Sequence, residues 1–382
     1  MRVVPFLSVC DIQGGTQPPK SEWISEPREG YIRMLQIRDF TQPEAARVEY
    51  VRDRSGLKKC DESDILIGRY GASVGKILGG LGGAYNVAIV KCVVDREKLD
   101  PKFLKLWLKS DSFQKKVTSF GGRAAQAGFN KSDLRELDIP LPPLAEQKRI
   151  AGILDAADAL RAKRRAALAQ LDTLLQSTFL YLFGDPVTNP KGWEVQLFGT
   201  ICDVRDGTHD SPKYVQDGRP LLTSKNFKDG RVDYSGANLV SERDFVQINK
   251  RSKVDVGDLV MPMIGTIGNP VLIEAEPDFV IKNVALIKFG DASPDCRFIR
   301  SLLCSHYFDH VTSKSNRGGT QKFVALKDLR ALPIPLPPLP LQRQFAEIVA
   351  SVERQKARMR AHLAELDTLF ASLQQRAFRG EL

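Results

Sequence analysis

Apolar residues recur on heptad spacing across residues 144–182, where Ile150, Ile153, Ala157, Leu160, Leu171, Leu174 and Thr178 fall on one face and Leu154, Leu168 and Leu175 widen it. Such a stripe predicts an amphipathic helix. The same spacing returns near the C-terminus at Phe345, Ile348, Val352, Met359, Leu366, Leu369 and Leu373. Charged residues, among them Lys163, Arg164, Arg165, Lys356 and Arg358, are assigned to the other faces. Each helix is expected to run about 40 residues, roughly 60 Å at 1.5 Å per residue. A stripe that long needs a partner, and each helix offers one to the other. Inter-helix packing is therefore assigned to Ile150, Ile153, Leu160, Leu171, Leu174, Phe345, Ile348, Val352, Leu366 and Leu369.

The stripes belong to a longer repeat. Ile139-Pro140-Leu141-Pro142-Pro143-Leu144 returns as Ile334-Pro335-Leu336-Pro337-Pro338-Leu339, and Leu171-Asp172-Thr173-Leu174 returns as Leu366-Asp367-Thr368-Leu369. The offset is 195 residues both times (139 to 334 and 171 to 366), so nothing has been inserted or lost between these landmarks. A helix imposes that constancy, because one extra residue turns every later side chain by about 100°. The prolines are expected to stop a strand and open a helix. Gly184 and Pro186 are expected to close the first helix.

Outside the helices the pattern changes to short apolar, β-rich runs separated by glycine turns. Asp64-Ile65-Leu66-Ile67 parallels Asp258-Leu259-Val260-Met261, and Asn86 to Lys91 parallels Asn283 to Lys288. One helix is expected to interrupt each set, around 101–116 and 295–311. The predicted organisation is α+β, with strand-rich modules at 1–142 and 185–337 and long helices at 143–184 and 338–382.

Composition adds a partner class. The chain has 382 residues and a formal net charge of +10, which favours a polyanion because each phosphate contact releases a counterion. No apolar run approaches the roughly 20 residues of a membrane span, and the N-terminus lacks the pattern of a secretory signal, so a cytoplasmic protein without a membrane partner is expected. Cys10, Cys60, Cys92, Cys202, Cys296 and Cys304 form no C-x-x-C pair and are expected to be reduced thiols.

Candidate chemistry is sparse. Gly71-Ala72-Ser73-Val74-Gly75-Lys76 is one residue short of a phosphate loop, and Ile77 stands where a magnesium-binding Ser or Thr belongs, so a tight turn is expected. Asp138, Glu146 and Lys148 imitate a nuclease order, but residues two apart on a helix face different ways, and the second copy has Leu341 and Arg343. His306 and His310 lie four apart without a third ligand cluster. Neither a catalytic nor a metal site is expected, and no cofactor is assigned to this chain.

Basic and amide residues of the modules remain. Lys20, Arg33, Arg38, Arg69, Tyr70, Arg123, Gln126 and Lys131 in the first module are the types that hold phosphates or read base edges. Lys213, Lys225, Asn226, Lys228, Arg231, Asn316, Arg317, Gln321 and Lys322 are their candidates in the second. For each, a solvated surface position is the competing explanation.

A variable module, an Ile-Pro-Leu-Pro-Pro-Leu-x-x-Gln turn, a long helix with Leu-Asp-Thr-Leu, and then all of it again to Ala377-Phe378-Arg379-Gly380-Glu381-Leu382, resembles the specificity subunit of a type I restriction-modification enzyme. Gly15-Thr16-Gln17-Pro18-Pro19 and residues 207–212 resemble the family's first-strand turn. The resemblance implies two target-recognition domains, joined by helical spacers that pack as an antiparallel coiled coil. It implies a non-catalytic chain that binds double-stranded DNA at an asymmetric bipartite target. It further implies two methyltransferase subunits as partners, with or without two restriction subunits; S-adenosylmethionine, ATP and magnesium would sit on those partners. Two other readings stay open: a self-contained DNA methyltransferase or nuclease with two DNA-binding modules, and a coiled-coil scaffold without DNA contacts.

Overall fold

The computed structural model describes residues 1–120, 128–209, 211–228, 230–263, 267–313 and 324–382. It divides into two compact units, residues 1–165 with 361–382, and residues 166–360. The long helices span Leu144–Phe183 and Leu339–Arg379, so each unit holds one strand-rich module and a part of each helix. No described helix is long and apolar enough to cross a membrane.

In the first unit, strands Cys10–Gly14, Ile89–Val94, Leu66–Gly68 and Ile77–Leu78 form one antiparallel sheet in that order. A second sheet runs Tyr50–Arg52, Tyr31–Leu35, Gly83–Tyr85 and Lys59–Cys60, with the middle pair parallel. The second unit repeats the first sheet with Asp203–Asp206, Val284–Lys288, Leu259–Pro262 and Val271–Leu272. Its other sheet again has one parallel pair, Arg219–Leu222 with Val280–Ile281. A hairpin of Phe227–Lys228 and Arg231–Val232 belongs to this unit.

The proline turns are built alike. Val3–Pro5 pairs antiparallel with Asp138–Pro140, and Glu194–Leu197 with Pro333–Leu336, leaving Ile139 and Ile334 fully buried. Pro140 ends its strand as expected, whereas the second strand runs on through Pro335. A two-stranded ribbon leaves one edge unpaired, where a missing N–H costs nothing.

The single helix expected in each module is two helices. Pro101–Leu108 is followed by Asp111–Phe120, and Cys296–Leu303 by His306–Ser313. The break falls at Ser110 and Ser305, whose hydroxyls donate to the carbonyls of Trp107 and Leu302 at 2.6 and 2.7 Å. A serine bonding back to the backbone competes with helix continuation. Asp100 and Asp295 open the first helix of each pair, their carboxylates accepting from N–H groups of its first turn.

The helix seam also departs from the expected frame. Ile150, Leu154 and Ala157 are buried in the first unit, and Phe345, Val349 and Val352 in the second, so the stripe steps four, three and then four residues. The next step reaches Arg161 and Lys356, whose side chains are only 18% and 7% exposed. Leu160, Leu174 and Leu369, assigned to the seam by spacing, are 54%, 49% and 50% exposed and do not pack in it. Ile153, Leu171, Ile348 and Leu366 are partly buried. Lys356, assigned to an outer face, is a seam residue. A charged side chain in the stripe hid the true frame.

These inward cations are neutralised by the repeated Leu-Asp-Thr-Leu aspartates. In the first unit Arg161 Nε donates to Asp367 Oδ1 at 2.6 Å, and in the second Lys356 Nζ lies 2.7 Å from Asp172 Oδ1. The two pairs are one interaction made twice, since 161 matches 356 and 172 matches 367 at the repeat offset. In the first unit Ala377 packs in the cluster that holds Ile150 while Asp367 meets Arg161, so the helix segments run antiparallel there.

Candidate nucleic-acid interface

The sheets and proline turns are held by a joint that recurs in both units. Gln147, fully buried, accepts the Asp100 N–H at 2.8 Å and donates to the carbonyls of Lys98 and Pro142, both at 2.8 Å. Gln342 accepts the Asp295 N–H at 2.9 Å and donates to Pro337 at 2.7 Å. Aromatic contacts repeat too, Phe103 against Phe378 at 5.4 Å and Phe298 against Phe183 at 4.9 Å. The Gly-Thr turns match: Thr16 N–H donates to Tyr85 and Thr208 N–H to Ile281. A Cβ on Gly15 or Gly207 would lie 2.1 Å from the Asn86 oxygen or 2.7 Å from that of Ile281. Both turns therefore require glycine.

On this shared frame the first module carries a network that ties down three of its candidates. Lys20 and Arg38 reach Glu49 at 3.2 and 2.5 Å, and Arg33 reaches the buried Asp39 at 2.7 Å. Burial pushes the Glu49 carboxyl up, but hydrogen bonds from Gln36 and Lys20 and the charges of Lys20 and Arg38 outweigh it and hold the group below its usual range. Lys20 also lies 3.7 Å over the Trp23 ring. Arg69 donates to the Phe129 carbonyl at 2.9 Å and lies 5.0 Å from the ring centre of Tyr70, which is exposed. Lys131 pairs with Asp11. Arg123 and Gln126 lie outside the described residues.

The second module uses its candidates differently. Asn226 is a correction: it is buried, accepts the Thr223 N–H at 3.0 Å and donates to the Asp233 carbonyl at 2.8 Å. A capping box fixes it where Gln36 and Asp39 fix the first module's short helix, so it shapes the loop and cannot reach a base. Lys213 is exposed. Lys225, Lys228 and Arg231 line a cleft of about 1020 Å³, with Lys228 2.8 Å from Asp233. Asn316, Arg317, Gln321 and Lys322 lie outside the described residues.

Sequence reasoning missed two groups. Arg297, Arg300, Arg354 and Arg360 line the same cleft; the signal available was that 297, 300 and 360 are matched by Lys102, Lys105 and Arg165. The other is His209, whose Nδ1 lies 2.9 Å from Asn283 Oδ1 and Nε2 2.7 Å from Asp206 Oδ2. Asn283 adopts φ 54°, a conformation asparagine tolerates better than most residues. Hydrogen bonding to Asn283 and then to Asp206 raises the imidazole pKa. The Gly-Thr-His run was legible, but its partners are 74 residues along in one case.

The motifs set aside by sequence have structural settings. Gly71–Ser73 is a 3-10 turn inside the hairpin of Leu66–Gly68 and Ile77–Leu78. Glu146 pairs with Arg149 at 2.6 Å, and His306 Nε2 lies 3.2 Å from Asp185. Among the described residues no group of three or more His, Cys, Asp and Glu side chains converges on a common point. All six cysteines are free thiols.

A family model described as the type I restriction modification DNA specificity domain matches residues 2–170 and again 190–368. The chain is 26% identical over 351 residues to the type I restriction enzyme MjaVIII specificity subunit of Methanocaldococcus jannaschii, covering 86% of this chain and 81% of that protein. It is 26% identical over 429 residues to the EcoKI specificity subunit of Escherichia coli, covering 100% of this chain and 89% of that one. Its fold is similar to the crystal structure of the S subunit of the type I restriction-modification system from M. genitalium, with TM-score 0.60 at 17% identity, over 99% of this chain and 96% of that one.

Proposed function

The chain belongs to the type I restriction-modification DNA specificity family, and from that premise we propose that it is the non-catalytic subunit that selects the DNA target for partner enzymes. Each module reads one half of a bipartite site, and because their surfaces differ, the two halves differ in sequence. The observation that carries this is the contrast between a frame in which Gln147 and Gln342 both accept an aspartate N–H and donate to a proline-turn carbonyl, and polar surfaces that differ, Lys20 and Arg38 around Glu49 in one and the hairpin of Phe227–Lys228 and Arg231–Val232 in the other.

Selection needs no chemistry here. If each module reads three or four base pairs and each mismatch costs about 1–3 kcal/mol, the two together discriminate strongly. Adenine methylation, with extrusion of the base from the duplex, falls to methyltransferase partners that carry S-adenosylmethionine. Two such subunits suit a chain with two equivalent halves, and restriction subunits using ATP and magnesium would complete a nuclease. The complex works in the cytoplasm, where chromosomal and invading DNA are met.

The test is sequencing of methylated adenines in cells carrying the complete system, before and after residues 1–140 are exchanged for another first module. One half of the methylated motif is expected to change while the other stays. An exchange that altered both halves, or neither, would refute the assignment.

A further inference from the structure

The cleft of the second unit has more cationic groups than its own carboxylates answer. Lys225 and Arg231 stand on the hairpin side, Arg297 and Arg300 on the Cys296–Leu303 helix, and Arg354 and Arg360 on the second long helix. Three acids share the cleft, and each is occupied. Asp172 and Glu353 hold Lys356 at 2.7 and 2.6 Å, Glu274 lies 3.3 Å from Arg297, and the second oxygen of Glu353 is 3.8 Å from Arg360. Lys225, Arg231, Arg300 and Arg354 have no ion-pair partner among the described residues; Arg300 donates instead to the Pro270 carbonyl at 3.2 Å. Unanswered positive charges gathered in one concavity raise the local concentration of anions.

Which anion is indicated by what repeats. Arg297, Arg300 and Arg360 are matched at the 195-residue offset by Lys102, Lys105 and Arg165, on the same elements of the first unit. Arg231 sits in a hairpin without a counterpart among the described residues there. A side chain that reads bases must diverge with the half-site it reads. One that holds what every half-site has in common need not, and the common part is the sugar–phosphate backbone. Guanidinium groups suit it, since their paired N–H donors match two phosphate oxygens. Arg354 and Arg360 are separated by about 9 Å of helix rise, and each strand of a duplex presents a phosphate about every 3.4 Å along its axis.

We propose that this cleft grips the phosphate backbone of the target duplex irrespective of sequence, with Arg300 and Arg360 as its repeated holding groups and Arg354, matched by Ala159, as an addition of this unit. Lys102 and Lys105 act likewise in the first unit, whereas Arg165 is held by Asp367 at 3.0 Å. The inference rests on the DNA-binding function proposed above.

The experiment uses the assembled complex of this chain with its methyltransferase partners, carrying R300Q and R354Q together. Binding to a duplex with the methylated motif and to a random duplex is measured across a salt series. Both affinities are expected to fall by the same factor, about tenfold or more at 0.1 M salt. The slope of log affinity against log salt should become shallower by about 1.8, at 0.9 per lost contact. R300K with R354K should restore the slope, which separates charge from folding. K102Q with K105Q is expected to act as the glutamine pair does, and no change there would overturn the argument from repetition. A fall confined to the motif would mean that the cleft reads bases. An unchanged slope with weakened subunit assembly would make it a dock for an acidic protein segment. Each of these overturns the proposal while leaving DNA recognition standing. A wild-type complex that bound no DNA would remove the proposed function itself.

Discussion

The two units answer the same structural problem with the same atoms and then part company at their surfaces. In each, a glutamine at the fourth position of the long helix joins the helix N-terminus to the module, a phenylalanine from one long helix meets one from the module, and a cation of one helix meets the Leu-Asp-Thr-Leu aspartate of the other. At the polar surface the first unit draws Lys20 and Arg38 around Glu49, while the second builds a hairpin on Asn226. Buried bonds tolerate little change, because a lone unsatisfied donor or acceptor costs about 1–3 kcal/mol. Exposed polar residues are replaced at little cost, and that freedom is where recognition can vary.

The sharpest way to strain the comparison is at the glutamines. Gln147 makes three hydrogen bonds and Gln342 two. Q147A is expected to cost about 3–4 kcal/mol and Q342A about 2–3, read by denaturant unfolding of the full chain. Equal losses would show that the joints are not graded by their bonds. Next, N226A is expected to cost about 2 kcal/mol, whereas R231Q in the same hairpin should leave stability within about 0.5 kcal/mol. A destabilisation by R231Q as large as that of N226A would erase the line drawn between frame and surface.

D172N withdraws one of two carboxylates from the nearly buried Lys356, and D367N removes the charge facing Arg161 and Arg165, leaving Arg161 with Asp158. Each is expected to cost about 1–2 kcal/mol, and the double variant close to the sum, since the pairs are separate. Strong non-additivity would contradict two independent copies. The smallest effect is at His209. Its pKa is raised by Asn283 and Asp206, so its protonated form stabilises the folded state below the ordinary histidine value of 6.5, and that contribution is lost as pH rises through the raised value. The advantage of wild type over H209Q should therefore shrink as pH rises above 6.5. A difference that stayed flat with pH would leave the histidine without this role.

Much of the frame was legible because a fixed offset is a property of spelling. The helices and the proline turns follow from it, while the strands match by residue type at offsets of 194 and 197 (64 to 258 and 86 to 283). What escaped depended on the third dimension. Spacing places Lys356 with the outer-face charges and does not single out Arg161; their aspartates lie 184 and 206 residues away (172 to 356 and 161 to 367). Ser110 and Ser305 broke the module helices through their own hydroxyls, a local competition that an apolar period does not register. Asn226 was taken for a base reader because an amide that caps a loop and one that faces a groove are the same residue. Arg354 and Arg360 were not singled out, since only the fold brings them into one cleft with Arg300.

The crossed pairing of Arg161 with Asp367 and of Lys356 with Asp172 has a hereditary consequence. A mutation at 161 is compensated at 367, in the other copy, and never at 172 in its own. The helical segments are therefore constrained across the two copies, each cation by the aspartate of the other. The modules carry no such debt to one another. Recombination that replaces one of them between the two prolines inherits a finished joint, and a new specificity can arise in a single crossover.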